Sequence, residues 1–172
     1  MISETEEIQL INRAMKGSQS AFHQLYDLHL DSLFRFLTQF TQDRDQVQEW
    51  TQRAFVKAFL KLTTFEFKSR FKTWLFTIGL NEMRTDMRSR FKFVELDEAP
   101  EQIEEESESE QWEMVKEAIK DLSPDKKIIL LLHIAEGYSH KEIAEMLSIK
   151  EGTSRIILHR TKKELNKHMQ HE

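Results

Sequence analysis

Aromatic and basic side chains alternate between residues 65 and 74 of this 172-residue chain. The stretch FEFKSRFKTW holds four aromatic residues and three cations. Cations bind phosphates, and aromatic faces accept unstacked bases at about 1–3 kcal/mol per base. The pattern therefore favours binding of single-stranded nucleic acid. The alternative is a purely structural role, and we expect Phe71, Trp74, Leu75 and Ile78 to contribute to a core.

A second candidate nucleic-acid element is LHIAEGYSHKEIAEMLSIKEGTSRIILHRTKKEL, residues 132–165. Ser139 and Glu142 form a capping box that starts a short helix, and a longer helix begins near Lys150. In a helix-turn-helix the second helix enters the major groove. Its six Lys and Arg against two Glu, counted from Lys150 to Lys167, suit phosphate contacts. Two ordinary amphipathic helices in a bundle would show a similar pattern.

We find no motif that supports an enzyme. There is no Walker loop, nucleotide-binding glycine fingerprint or nucleophile elbow. The seven His residues show no metal-ligand spacing, so we expect them at surfaces or interfaces. Absence of Cys excludes disulfides and thiolate metal sites. We therefore predict no catalytic residue, no metal and no cofactor.

Composition favours an all-α protein in the cytoplasm. Only four Gly and two Pro occur among abundant helix formers, and 39 % hydrophobic residues suffice for a core. The amino terminus shows no signal peptide, and no apolar run approaches the ~18 residues of a membrane span. We therefore expect no membrane insertion.

Charge divides the chain into three parts. Residues 1–93 carry net charge +3, residues 94–111 carry nine acids and no base, and residues 112–172 carry +1. The acidic part has too few large apolar residues to offset the entropy of ordering, so it reads as a flexible linker. We predict helical domains at 1–92 and 112–172, joined by a linker at 93–111.

Each domain shows helical periodicity. In the first, Ser3 caps one helix, Ser18 starts the next, a third follows TQDRD, and a fourth runs from about Thr73 to Arg90. The stripe of the third helix predicts these buried residues: Val47, Trp50, Ala54, Phe55, Ala58, Phe59 and Leu62. The second domain reads as four helices, beginning with one marked by Trp112, Val115 and Ile119. Its last helix is expected to bury Ile157, Leu158 and Leu165.

Four segments in this order resemble a bacterial sigma factor of the extracytoplasmic-function group: AFHQLYDLHLDSLFRFL, VQEWTQRAFVKAF, FKTWLFTIGLNEMRTDMRSR and LSPDKKIILLLHIAEGYSHKEIAEMLSIKEGTSRIILHR. The resemblance covers about residues 18–168. It implies sigma domains 2 and 4, which bind RNA polymerase core at its clamp and direct it to promoter DNA. It also implies control by an anti-sigma factor. The chain differs from the family at Ser154, where a buried Val is usual, and at Ile156 and Ile157, where a polar or basic pair is usual.

The resemblance assigns roles to particular residues. The turn from Phe65 to Arg70 would hold a base extruded from the duplex, and Asn81 would bond base edges. Minus-ten contacts are implied for Phe65, Phe67, Lys68, Ser69, Arg70, Lys72, Trp74, Asn81, Arg84 and Arg88. Minus-thirty-five contacts are implied for Lys150, Thr153, Ser154, Arg155, Ile156, His159, Arg160 and Lys163. Docking on core polymerase is implied for Glu49, Gln52, Arg53 and Lys57. The alternative is that these residues form an ordinary solvent-exposed helix face.

Several alternatives stay open on sequence alone. The chain could be a free-standing helix-turn-helix regulator with an amino-terminal dimerisation or sensor module, although such a regulator has no need of the aromatic–basic turn. It could also bind polymerase but have lost promoter reading. Ile156 could contact a thymine methyl or face a protein partner. The acidic linker could thread through the polymerase channels or serve as a plain tether.

Overall fold

The computed structural model describes residues 2–93, 119–120 and 122–170. Within these ranges the regular structure consists of seven α-helices and one 3-10 helix, without a β-strand. The all-α prediction is therefore confirmed. The chain divides into two compact units, Met1–Ile103 and Glu104–Glu172, which are described separately. The acidic segment 94–111 lies outside the described residues, so the linker and domain boundaries stay predictions.

In its described residues, the first unit contains four α-helices and one 3-10 helix. They are α1 (Glu4–Met15), α2 (Gln19–Thr38), α3 (Arg44–Lys61), the 3-10 helix Leu62–Thr64 and α4 (Phe71–Phe93). The predicted capping box is confirmed, because Ser3 Oγ accepts from the Glu6 amide at 3.2 Å and the Ser3 amide donates to the Glu6 carboxylate at 2.7 Å. Asp43 caps α3 by accepting from the Gln46 amide at 3.1 Å.

Helices α2, α3 and α4 form the core of this unit. Trp50, Phe71 and Phe76 are among its largest fully buried side chains. Gly79 lies where α2 closely approaches α4, since a Cβ there would lie 2.9 Å from Leu33 Cδ1 and would force the buried Leu33 side chain to shift. One stripe residue was placed wrongly: Phe59 is 49 % exposed, and its ring meets that of Phe22 in a T-shaped arrangement with 4.9 Å between centroids.

His29 is a buried exception to the expectation that the histidines lie at surfaces. Its Nε2 lies 2.6 Å from Glu7 Oε1, which joins α2 to α1. Burial lowers the pKa of His29, against the opposing effect of Glu7. The ring also packs 5.3 Å from Phe71 at the start of α4. Through its contacts with Glu7 and Phe71, His29 connects α1 with the start of α4.

Asp86 joins α3 to α4. Its Oδ2 accepts from the Gln46 side-chain amide at 2.9 Å and from Trp50 Nε1 at 3.0 Å. Both donors belong to buried residues of α3, and burial makes an unpaired donor expensive. One carboxylate therefore satisfies two polar groups inside the helix interface and fixes how α4 lies on α3.

The second unit contains α5 (Pro124–Ile134), α6 (His140–Leu147) and α7 (Glu151–Gln170). Pro124 occupies the first position of α5, where its missing N–H leaves no helical hydrogen bond unmade. The predicted helix before it is described only at Ile119 and Lys120, which are helical; Trp112 and Val115 lie outside the described residues. None of the described helices is both long and apolar enough to cross a membrane.

Replacing Asp86 with Ala should lower the free energy of unfolding of the first unit by roughly 2–4 kcal/mol. The reason is that Trp50 Nε1–H and the Gln46 amide would lose their acceptor inside the α3–α4 interface. Urea unfolding followed by tryptophan fluorescence measures the change. Asp31→Ala on the exposed face of α2 is the control and should change stability by less than ~0.5 kcal/mol. Equal effects of the two substitutions would contradict a bridging role for Asp86.

Candidate nucleic-acid and polymerase interfaces

In the turn from Phe65 to Arg70, one aromatic side chain is buried and another is exposed to solvent. Phe65 is 5 % exposed and packs on Trp74, with 5.2 Å between ring centroids. Phe67 is 42 % exposed, and its ring lies 4.9 Å from that of Phe65. Its φ of 56° is a left-handed conformation that a bulky residue rarely adopts. The backbone thus presents Phe67 to solvent above a buried aromatic support.

The polar side chains of this turn are also exposed. Lys68, Ser69 and Arg70 all lie on the surface. Hydrogen bonding to Glu66 raises the pKa of Lys68, and the same bond lowers the pKa of Glu66. Lys72 lies half-buried, its Nζ 5.0 Å from the centre of the Phe76 ring. The turn therefore combines an exposed aromatic face with positive charge.

Further predicted residues share one face of α4. Trp74, Asn81 and Arg88 recur every seven residues, and Arg84 lies between the last two at helical spacing. Asn81 and Arg88 are exposed, while Trp74 and Arg84 are half-buried. The face that continues from the aromatic turn thus carries an amide and two guanidinium groups. Of the four expected core residues, Phe71 and Leu75 are buried, whereas Trp74 and Ile78 are only half-buried.

The polar residues predicted to dock on polymerase lie on the exposed side of α3. Arg53 pairs with Glu49 one turn away, and Gln52 is exposed beside them. Lys57 instead pairs with Glu82 of α4, whose side chain is largely buried. Lys57 therefore also has a structural role, because it neutralises a carboxylate at the helix interface.

Two exposed apolar residues of α3 escaped the sequence interpretation. Val56 is 58 % exposed and Leu60 is 72 % exposed. They continue the face of Arg53 at intervals of three and four residues. A signal was available, because both are apolar yet lie outside the buried stripe. We call Val56, Phe59 and Leu60 the α3 apolar patch.

The second unit contains a helix-turn-helix. Ser139 and Glu142 form the predicted capping box of α6, with the Ser139 amide 2.9 Å from the Glu142 carboxylate. Ser148 ends α6 in a left-handed conformation, φ 55°, and α7 begins three residues later. Seven predicted residues are exposed on α7 or just before it: Lys150, Thr153, Arg155, Ile156, His159, Arg160 and Lys163.

The placement of Ser154 on the DNA-facing side is wrong. Its side chain is fully buried, and its Oγ is hydrogen-bonded to His140 Nδ1 at 2.9 Å. Among residues 151–165 of α7, whose burial is described, those buried are Ser154, Leu158 and Thr161, whereas the predicted core residues Ile157 and Leu165 are only half-buried. The core face is thus turned from the expected one toward two small polar residues: Thr161 bonds the Ile157 carbonyl of its own helix at 2.8 Å, and Ser154 bonds His140 of α6.

His140 links this buried serine to a second histidine. The rings of His133 and His140 stack at 4.6 Å between centroids, and His133 Nδ1–H donates to the Tyr138 carbonyl at 2.8 Å. Burial and the neighbouring His133 lower the pKa of His140, which favours the neutral form of its ring. One stacked ring pair and two hydrogen bonds therefore connect α5, α6 and α7. Within the described ranges, no group of three or more His, Cys, Asp or Glu residues could hold a metal ion.

Comparison with known proteins gives two family matches. The model of sigma-70 region 2 matches residues 25–92, and the model of sigma-70 region 4 matches residues 112–165. The RNA polymerase sigma factor NccH of Alcaligenes xylosoxydans is 30 % identical, over 89 % of this chain and 90 % of its own. The chain belongs to the sigma-70 family, in its extracytoplasmic-function group.

Further relatives support the same conclusion for this sigma factor. RNA polymerase sigma-H factor of Pseudomonas aeruginosa is 27 % identical, over 99 % of this chain and 97 % of its own. The solved sigma factor RpoE of Bartonella quintana, in complex with the anti-sigma factor NepR, is 27 % identical with a TM-score of 0.73. The match covers 87 % of this chain and 96 % of the Bartonella quintana chain. The resemblance stated from the sequence is confirmed, and a free-standing regulator is not favoured.

Replacing His140 with Ala in this sigma factor should destabilise the helix-turn-helix by about 1–3 kcal/mol, because the buried Ser154 hydroxyl loses its partner. In the double variant with Ser154→Ala the penalty should be smaller than the sum of the single effects, giving a coupling of ~1 kcal/mol. Urea unfolding followed by amide NMR signals of α6 and α7 measures it. His159→Ala, on the exposed face of α7, is the control and should be nearly neutral. Additive single effects would show that the hydrogen bond does not stabilise the unit.

Proposed function

We propose that this sigma factor uses three surfaces in transcription initiation. The exposed side of α3 docks on the clamp of RNA polymerase core. The aromatic turn and the exposed face of α4 hold the opened minus-ten element, and α7 reads the minus-thirty-five element in the major groove. The protein contributes binding and positioning rather than catalysis, and acts in the cytoplasm where polymerase and promoter DNA are found.

The observation that carries the minus-ten proposal is the exposed, backbone-strained Phe67 among cations. An aromatic face of this kind offers stacking to a base that has left the duplex. Lys68 and Arg70 beside it supply charge for phosphates. A protein that bound only intact duplex would gain nothing from such a turn, because paired bases expose no face.

Core docking is supported by the α3 apolar patch next to an ion-paired polar surface. Interfaces combine an apolar centre with a polar rim, and the patch with Glu49, Gln52 and Arg53 has this composition. Lys57 orients the same surface through its pair with Glu82. Three large apolar side chains facing water would otherwise lower solubility without a compensating gain.

Control by an anti-sigma factor is the remaining part of the proposal. The Bartonella quintana relative was solved in complex with such a protein. We propose that a partner of this class binds this sigma factor and withholds it from polymerase. Competition between the purified partner and core polymerase for a labelled sigma factor tests this directly. Simultaneous binding of both would contradict it.

Substitution of Val56 or Leu60 by Asp should weaken binding to core polymerase by about tenfold or more, because a charge would have to be desolvated at the centre of the interface. Titration of core into fluorescently labelled sigma factor measures the affinity. Ile8→Asp is the matched control, since Ile8 is an exposed apolar residue of α1, 41 % accessible. An equal loss with all three variants would indicate a general surface effect and contradict docking through α3.

Phe67→Ala should shorten the lifetime of the open promoter complex by roughly 5- to 100-fold, because one stacking contact is worth about 1–3 kcal/mol. A fluorescent base analogue in the minus-ten element reports opening. Phe67→Tyr keeps the aromatic face and should preserve the lifetime, whereas binding of core should be unchanged in both variants. An unchanged open complex in Phe67→Ala would show that the turn does not hold a base.

A further inference from the structure

Ile156 is an exposed apolar residue on a face otherwise made for DNA. Its side chain is 53 % exposed, and it lies five residues after Glu151, the first residue of α7. Thr153 lies one turn before it and is exposed, and Ile157 lies beside it and is half-buried. Spacing of i, i+3 and i+4 brings a methyl group and two isoleucine side chains together on one side of the helix. We call Thr153, Ile156 and Ile157 the α7 apolar strip.

Ile156 does not belong to the buried face of α7. Ser154, Leu158 and Thr161 provide the buried face of α7, and Ser154 is held by His140 at 2.9 Å. Ile156 points away from these residues, since it follows the buried Ser154 by two positions in a helix of 3.6 residues per turn. Its exposure therefore needs an explanation outside the unit.

Positive charge surrounds the strip. Arg155 and Arg160 are exposed on either side of Ile156, and Lys150 and Lys163 are exposed along the same helix. Arg155 is partly neutralised by its pair with Glu151. The cations on both sides of Ile156 are suited to contact the two phosphate backbones that border a DNA groove. A protein with an apolar surface fits less well, because its binding would remove water from these charged side chains.

We infer that the α7 apolar strip recognises the C5-methyl group of a thymine in the minus-thirty-five element, with Ile156 as its main contact. The thymine methyl is the apolar group that base pairs present in the major groove, and it distinguishes T·A from the other pairs. This inference rests on the proposed function of α7 and adds its chemical specificity. The flanking arginines bind phosphate or guanine edges and fix the register of the helix.

Deoxyuridine provides a direct test, since it lacks the methyl group but keeps every hydrogen-bonding atom of thymine. A duplex library randomised over the minus-thirty-five element is selected with the reconstituted holoenzyme, and the enriched thymines are then replaced one at a time. We expect enrichment of at least one thymine whose replacement weakens holoenzyme binding about fourfold, which corresponds to ~0.8 kcal/mol for one buried methyl group.

The same measurement on variants assigns the contact. Ile156→Ala should bind thymine and deoxyuridine duplexes equally at that position. Ile134→Ala is the matched control, because Ile134 is an exposed isoleucine of the same unit, 58 % accessible, at the end of α5. It should retain the fourfold preference. Both substitutions remove surface side chains, so folding of both variants can be verified by circular dichroism before binding.

The outcomes separate this inference from the proposed function. If the holoenzyme forms and selects promoters but shows no thymine–deoxyuridine difference at any position, the methyl contact is refuted while the function stands. The methyl contact is also refuted if Ile156→Ala still binds thymine duplexes more tightly than deoxyuridine duplexes. It is refuted as well if Ile156→Ala loses only binding to core polymerase, because the strip would then contact protein. If no promoter is selected at all, the proposed function fails and the methyl contact fails with it.

Discussion

The Asp86 carboxylate holds together the two helices on which the surfaces of the first unit depend. It accepts hydrogen bonds from Gln46 and Trp50 of α3 at 2.9 and 3.0 Å, and its backbone belongs to α4. Lys57 and Glu82 add an ion pair across the same interface. Because buried polar groups are costly unless paired, these contacts permit few other arrangements of α3 on α4. The contacts thereby fix the exposed side of α3 and the exposed face of α4 relative to each other.

The second unit positions its helices in a similar way, through a small polar cluster. His133, His140 and Ser154 connect three helices through one stacked ring pair and two hydrogen bonds. A polar connection specifies orientation more closely than an apolar contact, because hydrogen bonds restrict both distance and angle. The orientation of α7 decides which of its side chains face outward, and it places Ile156 rather than Ser154 there.

Much of this organisation was predictable from local sequence. The capping boxes at Ser3 and Ser139 rest on contacts within one helix, and the apolar stripe of α3 appears as a periodicity within one helix, so short-range patterns predicted the helices well. Contacts between helices were not predictable in the same way. Phe59 fits the stripe but lies at its rim, and Ser154 is buried because His140 satisfies it from another helix. A histidine 14 residues away leaves no local signal in the chain.

As a sigma factor, this protein is expected to confer promoter specificity on RNA polymerase. Run-off transcription with purified core polymerase on fragmented genomic DNA of the source organism, with and without the protein, measures that specificity. We expect discrete transcripts that require the protein and whose upstream regions share two common elements, one for each unit. If the folded protein does not bind core polymerase at all, it does not act as a sigma factor.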